Sequence, residues 1–321
     1  MMKRRTFLKG SAIVGLTAAS SSYLLSESGL FTVKSSRKVR MILDSDRTKV
    51  GTLPIIRAFA ENHLDYVSPY VLLDEFGPID LQAGNDPLRV DAHPHAGVTP
   101  TTYFLEGSGH HKDSLNYDFQ IGKGEFMLFS SGRGAIHMEE TGQKMYEEGG
   151  QYHGFQIWLN MPAQHKFSAP TTAVHNDQDM PIVTQKDFTA KVVLGSLLGV
   201  SSNIPLLSPA FYYHVTINKN GRIDIPTDPN HNAFIYMIKG EVELEEQRKV
   251  STNQVVLFER GDSMIRMYAK EGAECLVLGG QPLNEPVFSY GPFVMNTEEQ
   301  IKQCIMNYRT GKMGNPEVVN Q

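Results

Sequence analysis

Cysteine is scarce in this sequence, with two residues among 321. Cys275 lies in the apolar run Cys275-Leu276-Val277-Leu278, and Cys304 lies in a segment with helical periodicity. Two lone cysteines in such different settings are typical of buried thiols, even where the compartment would permit a bridge. We therefore expect both to be unpaired.

An excess of positive charge is also absent. The chain has 30 Lys and Arg against 35 Asp and Glu, a formal net charge of -5 at pH 7. It has no basic stripe and no basic patch rich in aromatic residues, which a nucleic-acid surface requires. No segment beyond the N-terminal leader is long and apolar enough to span a bilayer. We therefore expect no nucleic-acid partner and no transmembrane segment after the leader.

The chain does contain two pairs of metal-ligand side chains. His93-Pro94-His95 and His137-Met138-Glu139 each hold two such residues at positions i and i+2. On a strand these positions point to the same face, and strand-like runs flank both pairs. Two such pairs on neighbouring strands supply three imidazoles and one carboxylate, which suits a transition metal with open positions for water, dioxygen or substrate. We predict that His93, His95, His137 and Glu139 bind one divalent metal ion.

Other polar residues near these pairs are interpreted as structural. His110 and His111 are adjacent, so on a strand they point to opposite faces and are not expected to chelate together. His153 precedes a strand, and Arg133 is expected to brace the turn in which it lies.

Short strand-like runs separated by glycine and proline recur after Gly29 and favour sandwiches or barrels over alternating β-α-β units. Tyr236-Met237-Ile238-Lys239-Gly240 echoes Tyr103-Phe104-Leu105-Glu106-Gly107, and Gly261-Asp262 echoes Gly124-Glu125. This is the pattern of a divergent internal repeat. We predict an all-β chain with two β-barrels in tandem.

The repeat also predicts which barrel binds metal. The residues that fall opposite the three histidines are Pro226, Asp228 and Glu274. His231 lies nearby but alone, and an isolated histidine is usually structural. The second barrel is therefore expected to lack a metal site.

A helix is predicted after the second barrel. Asn296 with Glu299 three residues later resembles a capping box. Ile301, Cys304, Ile305 and Tyr308 follow at helical spacing as one apolar stripe, and Gly311 is a plausible stop. We expect this helix to pack against the N-terminal barrel.

The N-terminus carries a twin-arginine export signal. Lys3-Arg4-Arg5-Thr6-Phe7-Leu8-Lys9 has the paired arginines, the Phe-Leu and the following Lys, and a mild apolar run extends from Ala12 to Ala19. We predict that residues 1–30 are a signal peptide read by the twin-arginine machinery and that the protein is periplasmic or otherwise exported. That route carries proteins already folded with their cofactors.

Several motifs together resemble the pirin family of bicupins, over about Arg37 to Gly314. They are His93-Pro94-His95-Ala96-Gly97, Thr102-Tyr103-Phe104-Leu105-Glu106-Gly107, His111-Lys112-Asp113-Ser114, Gly132-Arg133-Gly134-Ala135-Ile136-His137-Met138-Glu139, Gln156-Ile157-Trp158-Leu159-Asn160-Met161-Pro162 and Tyr290-Gly291-Pro292-Phe293-Val294-Met295-Asn296. The resemblance implies a metal-binding N-terminal cupin at 37–168, a C-terminal cupin at 169–295, and a helix and tail at 296–321. Ala96 and Val98-Thr99 depart from the family pattern, and we expect these departures at the mouth of the pocket.

The same resemblance implies chemistry. Related bicupins include enzymes that open flavonols, so quercetin 2,3-dioxygenase is the activity we expect, with a small aromatic substrate and O2. Glu139 is the natural proton acceptor. Iron is the expected metal, although manganese, cobalt, nickel and copper suit the same ligands. We expect a monomer. The alternative is a non-catalytic, iron-dependent redox-sensing or binding protein of the cell envelope.

Overall fold

Short segments with alternating buried and exposed positions fold most of the chain into β-strands. The computed structural model describes residues 35–60 and 63–320, so the predicted signal peptide lies outside the described residues. Strands account for 55% of the structure and helices for 12%. The expected all-β class is therefore confirmed.

The strands of the first half are β1 (Val39–Asp44), β2 (Asp46–Val50), β3 (Leu53–Ala60), β4 (Tyr70–Leu81), β5 (Arg89–His95), β6 (Val98–Glu106), β7 (Ser108–Asp113), β8 (Asp118–Gly122), β9 (Phe126–Ser130), β10 (Ala135–Thr141), β11 (Gly150–Asn160) and β12 (Thr171–His175). Those of the second half are β13 (Ile182–Thr184), β14 (Phe188–Leu194), β15 (Ser196–Leu197), β16 (Val200–Ser201), β17 (Ala210–Ile217), β18 (Gly221–Pro226), β19 (Asn232–Glu243), β20 (Lys249–Ser251), β21 (Gln254–Phe258), β22 (Met264–Ala269), β23 (Ala273–Gly280), β24 (Phe288–Tyr290) and β25 (Phe293–Met295). The helices are α1 (Leu64–Val67), α2 (Gln143–Glu148), α3 (Glu298–Arg309) and α4 (Pro316–Val319), with 3-10 turns at Ala163–His165, Asp177–Asp179 and Glu245–Gln247.

Two sheets build the first cupin. A seven-stranded sheet has the order β12-β9-β6-β11-β4-β3-β2, and a four-stranded sheet has the order β5-β10-β7-β8. Apolar residues from both, including Phe104 on β6 and Ile121 on β8, form one cluster between them. Burial of these side chains holds the sheets together.

Most strands of the second cupin join in one ten-stranded sheet. This sheet follows the path β1-β21-β19-β23-β17-β14-β13, with β18, β20 and β22 attached to the side. Val192, Ile235 and Val277 are fully buried members of its core cluster. Two cupins in tandem, as the internal repeat predicted, are confirmed.

The two cupins share a separate apolar cluster. Tyr103 and Phe155 of the first pack with Phe234 and Leu276 of the second. Tyr70, on the first cupin, donates a hydrogen bond across this interface to the carbonyl of Phe211 at 2.8 Å. The seven-stranded sheet of the first cupin and the ten-stranded sheet of the second therefore bury apolar side chains against each other.

Segments at both ends of the chain cross between the cupins. β1 lies in the predicted N-terminal cupin but pairs with β21 of the second, with Met41 opposite Leu257. Residues on β25 return to the first cupin, where Phe293 bridges to Ala96. β12, predicted to open the second cupin, pairs with β9 of the first. The boundaries at 168 and 295 remain predictions, and hydrogen bonds run across both of them.

The C-terminal helix begins one residue later than the sequence suggested. Its N-cap is Thr297, which forms a reciprocal capping box with Gln300, rather than Asn296 with Glu299. Asn296 and Thr297 are both good cap acceptors. Thr297 is the cap because its hydroxyl accepts from the backbone amide of Gln300 while its own backbone amide donates to Oε1 of the Gln300 side chain. Ile301 and Cys304 are buried in a cluster with Met138 of the first cupin, which is the packing that we expected.

Cys275 and Cys304 are both buried free thiols. Among the residues that the structure describes, no helix is long and apolar enough to cross a membrane.

Candidate metal centre

The four-stranded sheet of the first cupin brings the two predicted ligand pairs side by side. β10 pairs antiparallel with β5, and His137 lies directly opposite His93. The register then shifts between His137 and Glu139, so that Glu139 lies opposite Val90 rather than opposite Asp91. This irregularity re-aims the carboxylate relative to the imidazoles.

Three of the predicted ligands form one cluster. A ring nitrogen from each of His93, His95 and His137 lies within 4.8 Å of the others. Nε2 of His137 and Nε2 of His93 are 3.0 Å apart. Nδ1 of His93 is 2.8 Å from the carbonyl oxygen of Asp91 and donates to it, which leaves Nε2 as the lone-pair nitrogen. That backbone bond is the usual way in which a metal-binding histidine is oriented.

The environment keeps these imidazoles neutral. Burial lowers the pKa of His93. Burial lowers the pKa of His95 and of His137 well below its usual value, and the neighbouring imidazoles lower both further. Neutral imidazole is the form that ligates metal. Nδ1 of His95 and Nδ1 of His137 are buried without a hydrogen-bond partner. A cation bound within the cluster therefore fits the donors that the chain supplies.

Glu139 belongs to a second, overlapping group. One of its carboxylate oxygens lies within 4.8 Å of ring nitrogens of His137 and His111. Thr102 donates to its Oε1 at 2.9 Å, and the Gln156 amide donates to its Oε2 at 2.7 Å. These two donors hold the half-buried carboxylate in place.

His111 is the residue that sequence reasoning missed. It is fully buried and joins His137 and Glu139, although we interpreted it as structural. The rule used was that adjacent residues face apart, and His110 does face away, toward Asp118 and Glu140. The spacing that could have found it is that of His111 and Asp113, which are themselves a pair of ligand-type residues at i and i+2.

A cavity of about 410 Å³ opens onto this cluster. His93, His95 and Glu139 lie on its wall. The apolar part of the wall includes Val50, Leu53, Ile55, Phe76, Leu88, Val90, Phe104 and Trp158. The volume and the mostly apolar lining with a few convergent polar groups are typical of a small-molecule site.

The departures from the family pattern do not lie at the mouth of this cavity. Ala96 is fully buried in the cluster that Met295 forms beneath the C-terminal helix. Val98 packs with Val294, and Thr99 hydrogen-bonds Ser130 at 3.2 Å. Our expectation for these residues was wrong, because Ala96 and Val98 pack against the returning C-terminal segment and Thr99 faces β9.

The structure also places two further residues that were interpreted as structural. His153 contacts the carboxylate of Glu75 at 2.6 Å, near the interface between the cupins. Arg133 is exposed, and the backbone amide at this position donates to the carbonyl of Ser168 at 2.9 Å. The role predicted for the Arg133 side chain in bracing the turn stays a prediction.

The fold and the site together define a bicupin whose first barrel carries a histidine and carboxylate cluster suited to a divalent metal ion. Family models for pirin and for the pirin C-terminal cupin domain match residues 52–159 and 212–314. The chain belongs to the pirin family.

Three relatives show the extent of the similarity. Pirin of Mus musculus is 29% identical over 286 residues, which cover 87% of this chain and 95% of that protein. A Pseudomonas aeruginosa protein named provisionally as a quercetin 2,3-dioxygenase is 32% identical over 255 residues, 76% of this chain and 86% of that one. The crystal structure of quercetin 2,3-dioxygenase from Acinetobacter baumannii has a TM-score of 0.85 at 26% identity, and covers 88% of this chain and 100% of that chain.

Proposed function

We propose that this chain is a metal-dependent dioxygenase of the quercetin 2,3-dioxygenase type, acting on a flavonol or a related phenolic. The observation that carries the proposal is the cavity of about 410 Å³ that opens directly onto the histidine and carboxylate cluster. Two of the relatives described above carry the name of this activity. In the reaction, the flavonol and O2 give a ring-opened ester and carbon monoxide.

The cavity wall suits a planar aromatic substrate. Phe76, Phe104 and Trp158 offer aromatic surface, and Leu53 and Ile55 offer aliphatic surface. Burial of a fused aromatic ring against such a wall supplies affinity. Oε1 of Gln156 is buried without a partner beside Glu139, so it can accept a hydrogen bond from a phenolic hydroxyl.

Glu139 is the residue to which we assign the proton. A flavonol must lose its hydroxyl proton before it reacts with oxygen, and a carboxylate within reach can accept that proton. Thr102 and Gln156 each donate to one oxygen of Glu139, which fixes the acceptor against the cavity. A divalent metal held by the histidines would act as a Lewis acid and lower the pKa of the bound hydroxyl. We propose iron(II) as the physiological metal.

The activity is tested by aerobic assay of the purified protein loaded separately with Fe, Mn, Co and Ni. We expect loss of the flavonol absorption band of quercetin and release of carbon monoxide with at least one metal. No loss of the band with any of them, in protein that retains one metal per chain, would contradict the proposal.

The role of Glu139 is tested by Glu139→Gln. The amide retains an oxygen that can face the ion but cannot accept the proton, so turnover should fall at least about 100-fold while some metal remains. The matched control is Glu106→Gln, because Glu106 pairs with Lys123 on the surface at 2.6 Å. Equal turnover in Glu139→Gln and wild type would remove Glu139 from the reaction.

The open cavity favours the enzyme over the redox-sensing alternative. A sensor without turnover has no need of a roomy, mainly apolar chamber beside its metal. The alternative predicts that a metal-loaded chain binds an envelope protein and leaves quercetin intact, so the same assay together with a pull-down from envelope extract separates the two functions.

We further propose that the protein is exported through the twin-arginine route, on the strength of Lys3-Arg4-Arg5-Thr6-Phe7-Leu8-Lys9. Cell fractionation should find the wild type in the envelope fraction and the double variant Arg4→Lys, Arg5→Lys in the cytoplasm. Equal distribution of the two proteins would overturn the proposal.

A further inference from the structure

One row of polar residues crosses the interior face of the seven-stranded sheet. Arg57 on β3 pairs directly with Asp74 on β4, and Asp74 pairs in turn with Gln156 on β11. Gln156 pairs directly with Thr102 on β6. Residues that lie opposite one another on neighbouring strands share a face of the sheet. All four line the cavity of about 410 Å³, so the row forms a polar band across its wall.

One end of this polar band holds Glu139. Thr102 and Gln156 each donate to its carboxylate. Asp74 lies two strands away from Thr102, a distance of roughly 10 Å at the usual spacing between strands. A flavonol is long enough to span this distance.

The other end of the band is a bidentate ion pair. Nε and Nη2 of Arg57 donate to Oδ1 and Oδ2 of Asp74 at 2.8 and 2.7 Å. This geometry fixes the plane of the guanidinium. The Asp74 side chain is 5% exposed and the Arg57 side chain is 33% exposed. The carboxylate is therefore enclosed, while the guanidinium is within reach of a molecule in the cavity.

Stability does not account for an ion pair at this position. Apolar residues of similar volume in place of a buried ion pair are often neutral or stabilising. Leu72 and Phe76, which flank Asp74 on the same face of β4, are such apolar wall residues. Of the described residues that line the cavity, only Arg57 is an arginine or a lysine. A charged pair in this wall therefore indicates a ligand with a polar group at the same place.

A phenolic hydroxyl matches both members of the pair. A guanidinium carries five N–H donors and a carboxylate has lone pairs for more than two hydrogen bonds, so each can bind a further group while the pair persists. A hydroxyl accepts one hydrogen bond and donates another. It can accept from Arg57 and donate to Asp74, whereas an aromatic C–H or a methoxy group leaves at least one of the two unmatched.

We propose that Arg57 and Asp74 are specificity-determining residues that bind a second hydroxyl of the substrate, at the end remote from Glu139. The preferred substrate is then a flavonol or phenolic that carries hydroxyl groups on an outer ring, and not the unsubstituted ring system. This inference deepens the proposed function and rests on it, because it takes the aromatic ligand of the cavity as given.

Binding without turnover is the direct test. Luteolin has the outer hydroxyls of quercetin but lacks the 3-hydroxyl that the proposed reaction needs, and flavone has neither. We expect calorimetric titration of the wild type to give tighter binding of luteolin than of flavone by at least about 10-fold, the lower end for hydrogen bonds to charged groups. The double variant Arg57→Met, Asp74→Leu replaces the pair by an apolar wall, and this preference should be lost in it.

The ratio of the two affinities separates recognition from damage to the fold. A distorted cavity weakens the binding of both ligands, while loss of the hydroxyl contacts weakens luteolin alone. The matched control is Arg266→Met, Asp224→Leu, because Arg266 pairs with Asp224 at 3.4 Å on the second cupin and is 32% exposed. This control should keep the wild-type preference. An equal affinity ratio in the wild type and in the Arg57→Met, Asp74→Leu variant would overturn the proposal.

Turnover distinguishes this proposal from the proposed function. Quercetin and 3-hydroxyflavone share the 3-hydroxyl and the 4-carbonyl, and only quercetin has outer hydroxyls. We expect the Arg57→Met, Asp74→Leu variant to raise KM for quercetin at least about 10-fold relative to KM for 3-hydroxyflavone, with the ratio of the two kcat values unchanged, because the contact is made equally in the ground and transition states. If both flavonols are consumed and the ratio of KM values does not change, the hydroxyl site fails and the dioxygenase stands. If neither is consumed while luteolin binding still depends on the ion pair, the dioxygenase fails and the hydroxyl site stands.

Discussion

Replacement of His137 by alanine should abolish the stabilisation that metal gives to this fold. His137 is fully buried at the point where the two donor groups meet. Its ring stacks on Phe129 with centroids 4.6 Å apart. Truncation therefore has two separable effects, the loss of packing and the loss of a shared ligand.

The two effects differ in whether they depend on metal. A large side chain truncated to alanine in a packed interior costs about 3 kcal/mol with or without metal. Metal at 100 times its dissociation constant stabilises the native state by about 2.7 kcal/mol. Since 1 kcal/mol shifts the midpoint of a chain of this size by roughly 2–4 °C, the metal-loaded wild type should melt roughly 5–10 °C above the metal-free form.

The assay is a thermal melt of each protein with Co(II) and with a chelator, alongside metal per chain by emission spectroscopy. His137→Ala and His93→Ala should melt at one temperature under both conditions, and His137→Ala should lie below the metal-free wild type. His231→Ala, which alters a lone histidine of the second cupin, should keep the full difference. If His137→Ala retains the metal-dependent shift, or His231→Ala loses it, the placement of the centre in the first cupin is wrong.

Three further substitutions test the packing beside the site and between the cupins. Lys166→Met should destabilise the fold by about 2–4 kcal/mol in urea titration, because the Lys166 ammonium donates to three buried oxygens, one each on Gly97, Asn160 and Val294. Burial lowers the pKa of Lys166 from 10.5 to about 7. Between these pH values the unfolded chain therefore binds more protons than the folded chain, and the difference in unfolding free energy between wild type and Lys166→Met should widen as pH rises from 7. A difference that does not change with pH would contradict this. Ala96→Arg should cost about 3 kcal/mol or more by the same titration, since it forces a cation into a fully buried apolar site, and a wild-type midpoint would refute the placement. Tyr236→Phe should cost about 1–2 kcal/mol in a thermal melt, because its hydroxyl donates to the buried carboxylate of Glu75, and an unchanged melt would mean that this bond contributes nothing.

Local spacing was sufficient for the parts of the structure that repeat every two residues or recur along the chain. The pairs His93-His95 and His137-Glu139 were visible because strand geometry puts i and i+2 on one face. The echo of Tyr103 to Gly107 at Tyr236 to Gly240 predicted the second cupin. The ligand assignment itself remains a prediction.

Features that depend on distant pairing could not be predicted in the same way. Nothing local in Val39–Asp44 indicates that it pairs with β21, more than two hundred residues later, because either cupin offers an apolar edge. The register shift at Met138 occurs only in the pairing of β10 with β5, whereas the pairing of β10 with β7 is regular, so it cannot be read from β10 alone. His111 was missed for another reason, since it was compared with His110 rather than with Asp113.

The covering of the ligand strands by the end of the chain has a consequence for synthesis. Ile136 and Met138, on β10, are buried in a cluster made largely of residues from Phe293 onward, among them Met313 and Val319. The ribosome completes the ligand strands first and the cover last. An unfinished chain must therefore carry its ligand residues on a strand whose back is apolar and bare, a surface that chaperones and proteases recognise.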